Sequence, residues 1–187
     1  MIPIRNKKKT LQVTVEEMRN FAFAYVEKYA PSKQQLKTYL LKKYLKISVP
    51  NVKKKDVTDL IDIVLSDLEK SKFINDKFYS ESKAKSMIQR GNSINKIRKY
   101  LIGKGINDEL IKDTVNKIND ENSDQDFFSA IKICKKKRIG PARIEDNRSL
   151  FYKKDISLLA RNGFDFETSK KVMDLDKDEY NKIINLL

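Results

Sequence analysis

Lys83, Lys85, Arg90, Lys96, Arg98, Lys99 and Lys104 fall within one stretch, Ser82 to Ile106, that holds no acidic residue. Cations at that density, with no local carboxylate to neutralise them, are suited to pairing with anions outside the chain, such as phosphates or an acidic protein surface. The same stretch carries Ala84, Met87, Ile88, Ile94, Ile97, Tyr100 and Leu101 at helical spacing. The apolar stripe is read as packing. The cations on the opposite flank are read as candidate contacts, with simple solvated charge as the plainer reading for any one of them.

Side chains for bond-making chemistry are scarce. The chain has no histidine and a single cysteine, which removes Ser-His-Asp and Cys-His nucleophile arrangements, imidazole zinc sites and thiolate clusters. No GxxxxGK[ST] loop occurs; GKG at Gly103–Gly105 ends a helical pattern instead of opening one, and GNS at Gly91–Ser93 reads as a turn into a helix cap. The many carboxylates sit at helical spacing and are read as solvent-facing, with an acid–base pair among them the weakest reading. Cys134, in ICKKK, is read as a buried structural thiol, although neighbouring lysines could lower its pKa. The expectation is a binding protein and not an enzyme, with no cofactor and no metal.

The elements that must present these cations are helices. Of 187 residues, 40% are hydrophobic and 35% charged, with five Gly and four Pro, so strong breakers are few and the chain can bury a core. The net charge of +14 draws it towards nucleic acid, anionic membrane or acidic protein. A lysine-rich solvated surface would explain the excess but not its distribution. No acid occurs between Lys28 and Lys55, after which Asp56, Asp59, Asp62, Asp67 and Glu69 arrive together; Asp108, Glu109, Asp113, Asp120 and Glu121 follow the basic stretch above. Lys132 to Arg143 is basic again, and Asp174, Asp176, Asp178 and Glu179 come near the end.

That alternation tracks an internal repeat. Ser32, Leu36, Tyr39, Leu40 and Lys43 recur in order and spacing as Ser93, Ile97, Tyr100, Leu101 and Lys104, and DISLLARNGF is a looser third copy. Ser32 with Gln35 and Thr14 with Glu17 have capping-box spacing, and Gly105 and Gly163 stand where helices end. TVEEMRNFAFAYVEKY, NDKFYSESKAKSMIQR and QDFFSAIKICKKK precede the copies; DVTDLIDIVLSDLEKS, NDELIKDTVNKI and FETSKKVM follow them. The expected architecture is therefore all-α, an elongated solenoid of three tandem three-helix repeats: a basic N-terminal arm over 1–13, then repeats over 14–72, 73–122 and 123–187. KISVPNVKKK is expected to be a longer surface loop in the first repeat. No segment has the length of a membrane span, and MIPIRNKKKT leads into no signal-like apolar run, so a soluble, cytoplasmic monomer is expected.

The repeat pattern, the basic second helix ending in KGI, and FINDKFYSESKAKSMIQRG before it resemble the RecX family, bacterial regulators of the RecA recombinase. The family signature, a glycine or hydrophobe, then D-D-x-x-[YF]-A, then a basic helix, is matched by Phe73, Ile74, Asn75, Asp76, Lys77, Phe78, Tyr79 and Ser80, with Asn75 in place of the first acid and Ser80 in place of Ala. ARNGFDFETSKKVM and KKRIGPAR are similar to later parts of the pattern, and the resemblance runs from about Thr14 onward. It implies binding along the groove of the RecA filament on single-stranded DNA, and inhibition of its ATPase, strand exchange and coprotease activities. It implies a modulator of recombination and repair, with double-stranded DNA as a further ligand. Candidate contacts to filament or DNA are Lys37, Lys42 and Lys43 in the first repeat, Arg90, Lys96, Arg98, Lys99 and Lys104 in the second, and Lys135, Lys136, Arg138 and Arg161 in the third. Asp76 and Tyr79 are read as structural. The rival readings are a sequence-tolerant DNA-binding protein acting without RecA, and a helical scaffold for some other acidic protein.

Overall fold

The computed structural model describes residues 12–45 and 53–187. Residues 1–11 of the expected arm over 1–13, and 46–52 of the expected loop KISVPNVKKK over 46–55, lie outside the described residues; the last two residues of that loop, Lys54 and Lys55, instead open a helix that Lys53 caps. The described residues form ten α-helices and two short 3₁₀ turns, with no strand among them, in agreement with the all-α expectation. None of these helices is long and apolar enough to cross a membrane. Two compact units divide the chain at Asp76/Lys77.

The first unit contains α1 (Val15–Tyr29), α2 (Lys33–Leu45) and α3 (Lys54–Lys70). Thr14 caps α1 by accepting from the Glu17 amide, and Ser32 and Gln35 form the reciprocal box, each side chain accepting from the other's backbone N–H at 3.2 and 3.1 Å. Met18, Ala22, Leu36, Leu40, Tyr44, Ile61, Val64 and Leu65 make the core. Around it, Arg19 pairs with Asp67 at 2.5 Å, Lys33 with Glu69 at 2.6 Å and Lys37 with Asp62 at 2.6 Å. The acidic third helix thus neutralises part of the basic second helix inside the same unit. Each pair is half-exposed, so each contributes about 0–1 kcal/mol.

The second unit holds two apolar cores. The first joins α4 (Asp76–Gln89), α5 (Ile94–Gly103) and α6 (Asp108–Glu121) through Tyr79, Ala84, Ile97, Leu101, Ile111 and Ile118. The second joins α7 (Gln125–Lys137), α8 (Arg148–Arg161), α9 (Phe166–Met173) and α10 (Lys177–Leu186) through Ile131, Cys134, Leu159, Val172, Met173 and Tyr180. The helix α10 is not anticipated above, where its acids are read only as charge near the end of the chain. Asp176 and Glu179 are in fact a reciprocal capping box, and Tyr180, Ile183 and Ile184 face the core at helical spacing. Cys134 is fully buried, and burial pushes its thiol up to about 12, so the structural reading of this residue holds and lysine activation does not.

The connection from α7 to α8 is fastened by a buried carboxylate. Asp155, 1% exposed, accepts from Arg143 Nε at 2.6 Å, from Arg143 Nη2 at 2.8 Å and from the Gly140 amide at 2.9 Å. Gly140 has φ +55°, and a Cβ there would lie 2.5 Å from Met173 Sδ, so a larger residue would have to displace the buried Met173 side chain. Burial alone would raise the Asp155 carboxyl, but the Arg143 and Gly140 bonds hold it below the usual carboxylate range. A carboxyl with a depressed folded-state pKa stabilises the fold above its unfolded pKa, and the effect fades as pH falls through the folded value. Asp155→Asn is therefore expected to cost about 3 kcal/mol at pH 7 by urea unfolding. The difference from wild type should shrink in strong acid, where wild type loses the same charge.

Candidate functional site

The first turn of α5 is fixed from several sides. Ser93, fully buried, caps the helix by accepting from the Lys96 amide at 3.1 Å, and its hydroxyl donates to the Asn162 carbonyl at 2.8 Å. The Ile94 amide donates to Asp126 Oδ1 at 2.8 Å, the Asn95 side chain donates to the Gly163 carbonyl, and Lys96 Nζ reaches Asn162 Oδ1 at 3.1 Å. Gly163, at φ +90°, makes this approach possible, since a Cβ would fall 2.5 Å from Ser93 Oγ. With Ile97 and Leu101 fully buried, the opposite face of α5 turns Asn95, Arg98, Lys99 and Ile102 outward. Ile102 is 59% exposed, so this face combines two cations with an apolar contact.

A second cationic cluster ends α7. The helix stops at Arg138, which takes a left-handed backbone (φ +54°) while the Ile139 amide bonds back to the Cys134 carbonyl and Ile139 buries itself in the core. Lys135, Lys136, Lys137 and Arg138 are all exposed. The partial negative charge of the helix C-terminus favours cations there. Along α7, roughly 15 Å of helix separates this cluster from Asp126, which holds α5.

The twelve candidate cations divide by environment. Lys42, Arg90, Arg98, Lys99, Lys135, Lys136, Arg138 and Arg161 are exposed, and none belongs to an ion pair among the described residues. The other four are engaged within the chain. Lys37 pairs with Asp62, Lys43 Nζ lies 3.6 Å from the Phe21 ring centroid, Lys96 bonds Asn162, and Lys104 lies 5.2 Å over Tyr100. Arg161 immediately precedes the Asn162–Gly163 turn that docks on α5, so its segment and the first turn of α5 meet, whereas Lys135–Arg138 stand apart from them. Asp126 and Asn162 are the positioning residues that the sequence reading passes over.

Asp76, read above as a structural acid at a helix start, accepts from the Lys33 amide of α2 at 2.8 Å. Asp126 does the same for α5. Burial pushes both carboxyls up, and the backbone bond each accepts pulls the other way. The recurring signal is an acid at the start of the following helix, visible in NDKF and DQDF.

No family model matches the chain. It is 31% identical over 177 residues to the Regulatory protein RecX of Myxococcus xanthus (strain DK1622), covering 91% of each chain. The chain belongs to the RecX family. The RecX of Lactococcus lactis subsp. cremoris (strain MG1363) is also 31% identical, over 136 residues that span 67% of this chain and 47% of that one. A crystal structure of regulatory protein RecX shares the fold, with a TM-score of 0.59 at 20% identity, over 86% of this chain and 74% of that one. The relatives that share the fold and the sequence are thus named as regulators.

Because the Asp126 carboxylate is costly to bury but its oxygen is needed by the Ile94 amide, its two truncations should differ. Asp126→Ala strands that N–H and is expected to lower stability by about 1–2 kcal/mol. Asp126→Asn keeps an acceptor without the charge and is expected to fall within about 0.5 kcal/mol of wild type. Thermal unfolding of the two variants at pH 7 checks the ordering.

Proposed function

We propose that this RecX-family chain binds the RecA filament on single-stranded DNA and inhibits its ATPase, strand exchange and coprotease activities. The observation that carries the reading is the outward face of α5, where exposed Arg98 and Lys99 flank exposed Ile102 on a helix whose other side is fixed in the core. A mixed cationic and apolar face suits an acidic protein surface, where charge steers encounter and the apolar side chain adds contact once docked. The helices group as repeats over 14–72, 73–122 and 123–187 behind the arm over 1–13, each presenting its second helix, and the chain acts as a cytoplasmic monomer. No step of catalysis by the chain itself is part of this reading. Lys42, Arg90, Lys135, Lys136, Arg138 and Arg161 add long-range attraction, while Lys37, Lys43, Lys96 and Lys104 contribute charge from within their intrachain contacts.

A second reading, direct and sequence-tolerant binding to single- or double-stranded DNA, is favoured by the all-cationic run Lys135–Arg138, which has no exposed apolar side chain within it. The two readings separate in one assay. With single-stranded-DNA-dependent ATP hydrolysis by RecA as the readout, inhibition is expected at amounts of protein far below those that saturate the DNA. Inhibition only once the DNA is coated would favour direct competition. The charge reversal Arg90→Glu, Arg98→Glu, Lys99→Glu is expected to raise the inhibitory concentration at least about tenfold, a loss of about 1.4 kcal/mol, with far-UV circular dichroism unchanged. Unimpaired inhibition by this variant would rule out the α5 face as the contact.

A further inference from the structure

The first unit carries a surface feature built of packed tyrosine rings bracketed by lysines. Tyr25 of α1 stacks on Tyr39 of α2, with centroids 4.1 Å apart and planes 13° from parallel. Tyr29, one turn further along α1, packs on Tyr25 at 4.8 Å. Lys28 Nζ lies 5.2 Å over the Tyr29 ring, and Lys43 Nζ lies 6.0 Å from the Tyr39 centroid and 3.6 Å from that of Phe21. The result is a continuous ribbon running Lys28, Tyr29, Tyr25, Tyr39, Lys43, Phe21 along the α1–α2 seam. Tyr29 is 53% exposed, Lys28 is exposed and the remaining members are half-buried; Lys42, three residues past Tyr39 on α2, is exposed as well.

Two properties of the ribbon point outward. First, none of its members is a carboxylate: α1 contributes Phe21, Tyr25, Lys28 and Tyr29 at helical spacing, and no acid occurs from Lys28 to the end of α2. The acid on that face of α1, Glu17, lies at the Phe21 end, away from Tyr29, with its carboxylate accepting from the Gln12 amide. The acids of α3 that reach α2 are spent on Lys33 and Lys37. Second, it is a run of three packed tyrosine rings with a lysine at each end, Lys28 at Tyr29 and Lys43 at Tyr39. An acidic peptide would be met by the cations alone, whereas packed rings with ammonium groups at both ends match a ligand that carries both flat rings and phosphates.

We propose that this ribbon is a stacking site for single-stranded nucleic acid. A base lies on the exposed Tyr29 ring, and Lys28, Lys42 and Lys43 pair with the phosphates on either side. Duplex bases are already stacked on each other and cannot be taken up this way, so the site selects single strands. This inference rests on the nucleic-acid part of the proposed function and needs nothing of the recombinase.

The test uses the full chain and a fluorescently labelled oligothymidylate of about 15 nucleotides, with an abasic strand of the same length as the probe for charge alone. Tyr29→Ala is expected to weaken oligothymidylate binding about fivefold or more by anisotropy, leaving the abasic strand unaffected, while Tyr29→Phe stays near wild type. The chain has no tryptophan, so Tyr29→Trp adds a single emitter whose fluorescence should be quenched by a stacked base. The proposal is overturned by unchanged affinity in Tyr29→Ala, by equal losses on both strands, or by unquenched Trp emission at saturation. Inhibition of the RecA ATPase is measured on the same variants. If the wild-type chain fails to inhibit while Tyr29→Ala still weakens oligothymidylate binding, the filament reading alone falls; if the wild-type chain inhibits while Tyr29→Ala binds oligothymidylate unchanged, the ribbon alone falls.

Discussion

The constraint on which this molecule turns is the buried start of a helix. A helix N-terminus leaves its first amides without intrahelical partners, and water cannot serve those that face the interior. Ser32 and Ser93, the caps of α2 and α5, are both fully buried. Each accepts from the amide three residues on, and the amide next to each cap is taken by a carboxylate from the helix two further along the chain, Asp76 for Lys33 and Asp126 for Ile94. The acid that starts one helix thereby finishes another. Because the capped end is fixed, the rotation of α5 is fixed, and with it the choice of which side chains meet solvent.

Charge is distributed unequally over this scaffold. In the first unit α3 returns carboxylates to α1 and α2, and Lys33 and Lys37 are neutralised where they stand. In the second unit the acids of α6 leave Arg98 and Lys99 alone; the Lys117 ammonium of α6 instead pairs with Glu81 of α4. Similar second helices therefore present different surfaces. On α2 the outward chemistry is Tyr39 beside Lys42 and Lys43, and on α5 it is bare cation beside an isoleucine. An alternation of basic and acidic segments along a sequence thus does not by itself place like charges on a common face, because neighbouring segments of opposite sign also pair.

Helix identity and the buried stripe were legible because both follow from spacing. Ser32, Leu36, Leu40 and their counterparts Ser93, Ile97 and Leu101 are all fully buried, as a cap followed by an apolar period demands. Side-chain partners were not legible, since whether Lys37 reaches Asp62 or solvent depends on where α3 crosses, which periodicity does not encode. The helix α10 lay hidden because four acids dominate its start, although Asp176, Glu179 and Tyr180 carry a cap-and-core signature. Asp126 was passed over for a related reason: an acid at a helix start is expected for its own helix, and nothing local shows that it serves a different one.

The surplus positive charge has a small cost to the fold and a large effect outside it. Arg98, Lys99 and Lys135–Arg138 stand in water, where a pair of like charges a few ångströms apart repels by about 1 kcal/mol and salt screens it beyond about 8 Å. Arg138 adds the cost of a left-handed backbone, about 1–2 kcal/mol, compensated by burying Ile139 and closing the α7 carbonyls. Against a polyanion the same charges release condensed counterions, and each phosphate neutralised adds to the steepness of the salt dependence. The cores can tolerate the repulsion because they are built without it: their charged member, Asp155, is matched by Arg143, and the thiol of Cys134 stays protonated. A fold stabilised inside by neutral or paired groups leaves its surface charge free to serve recognition.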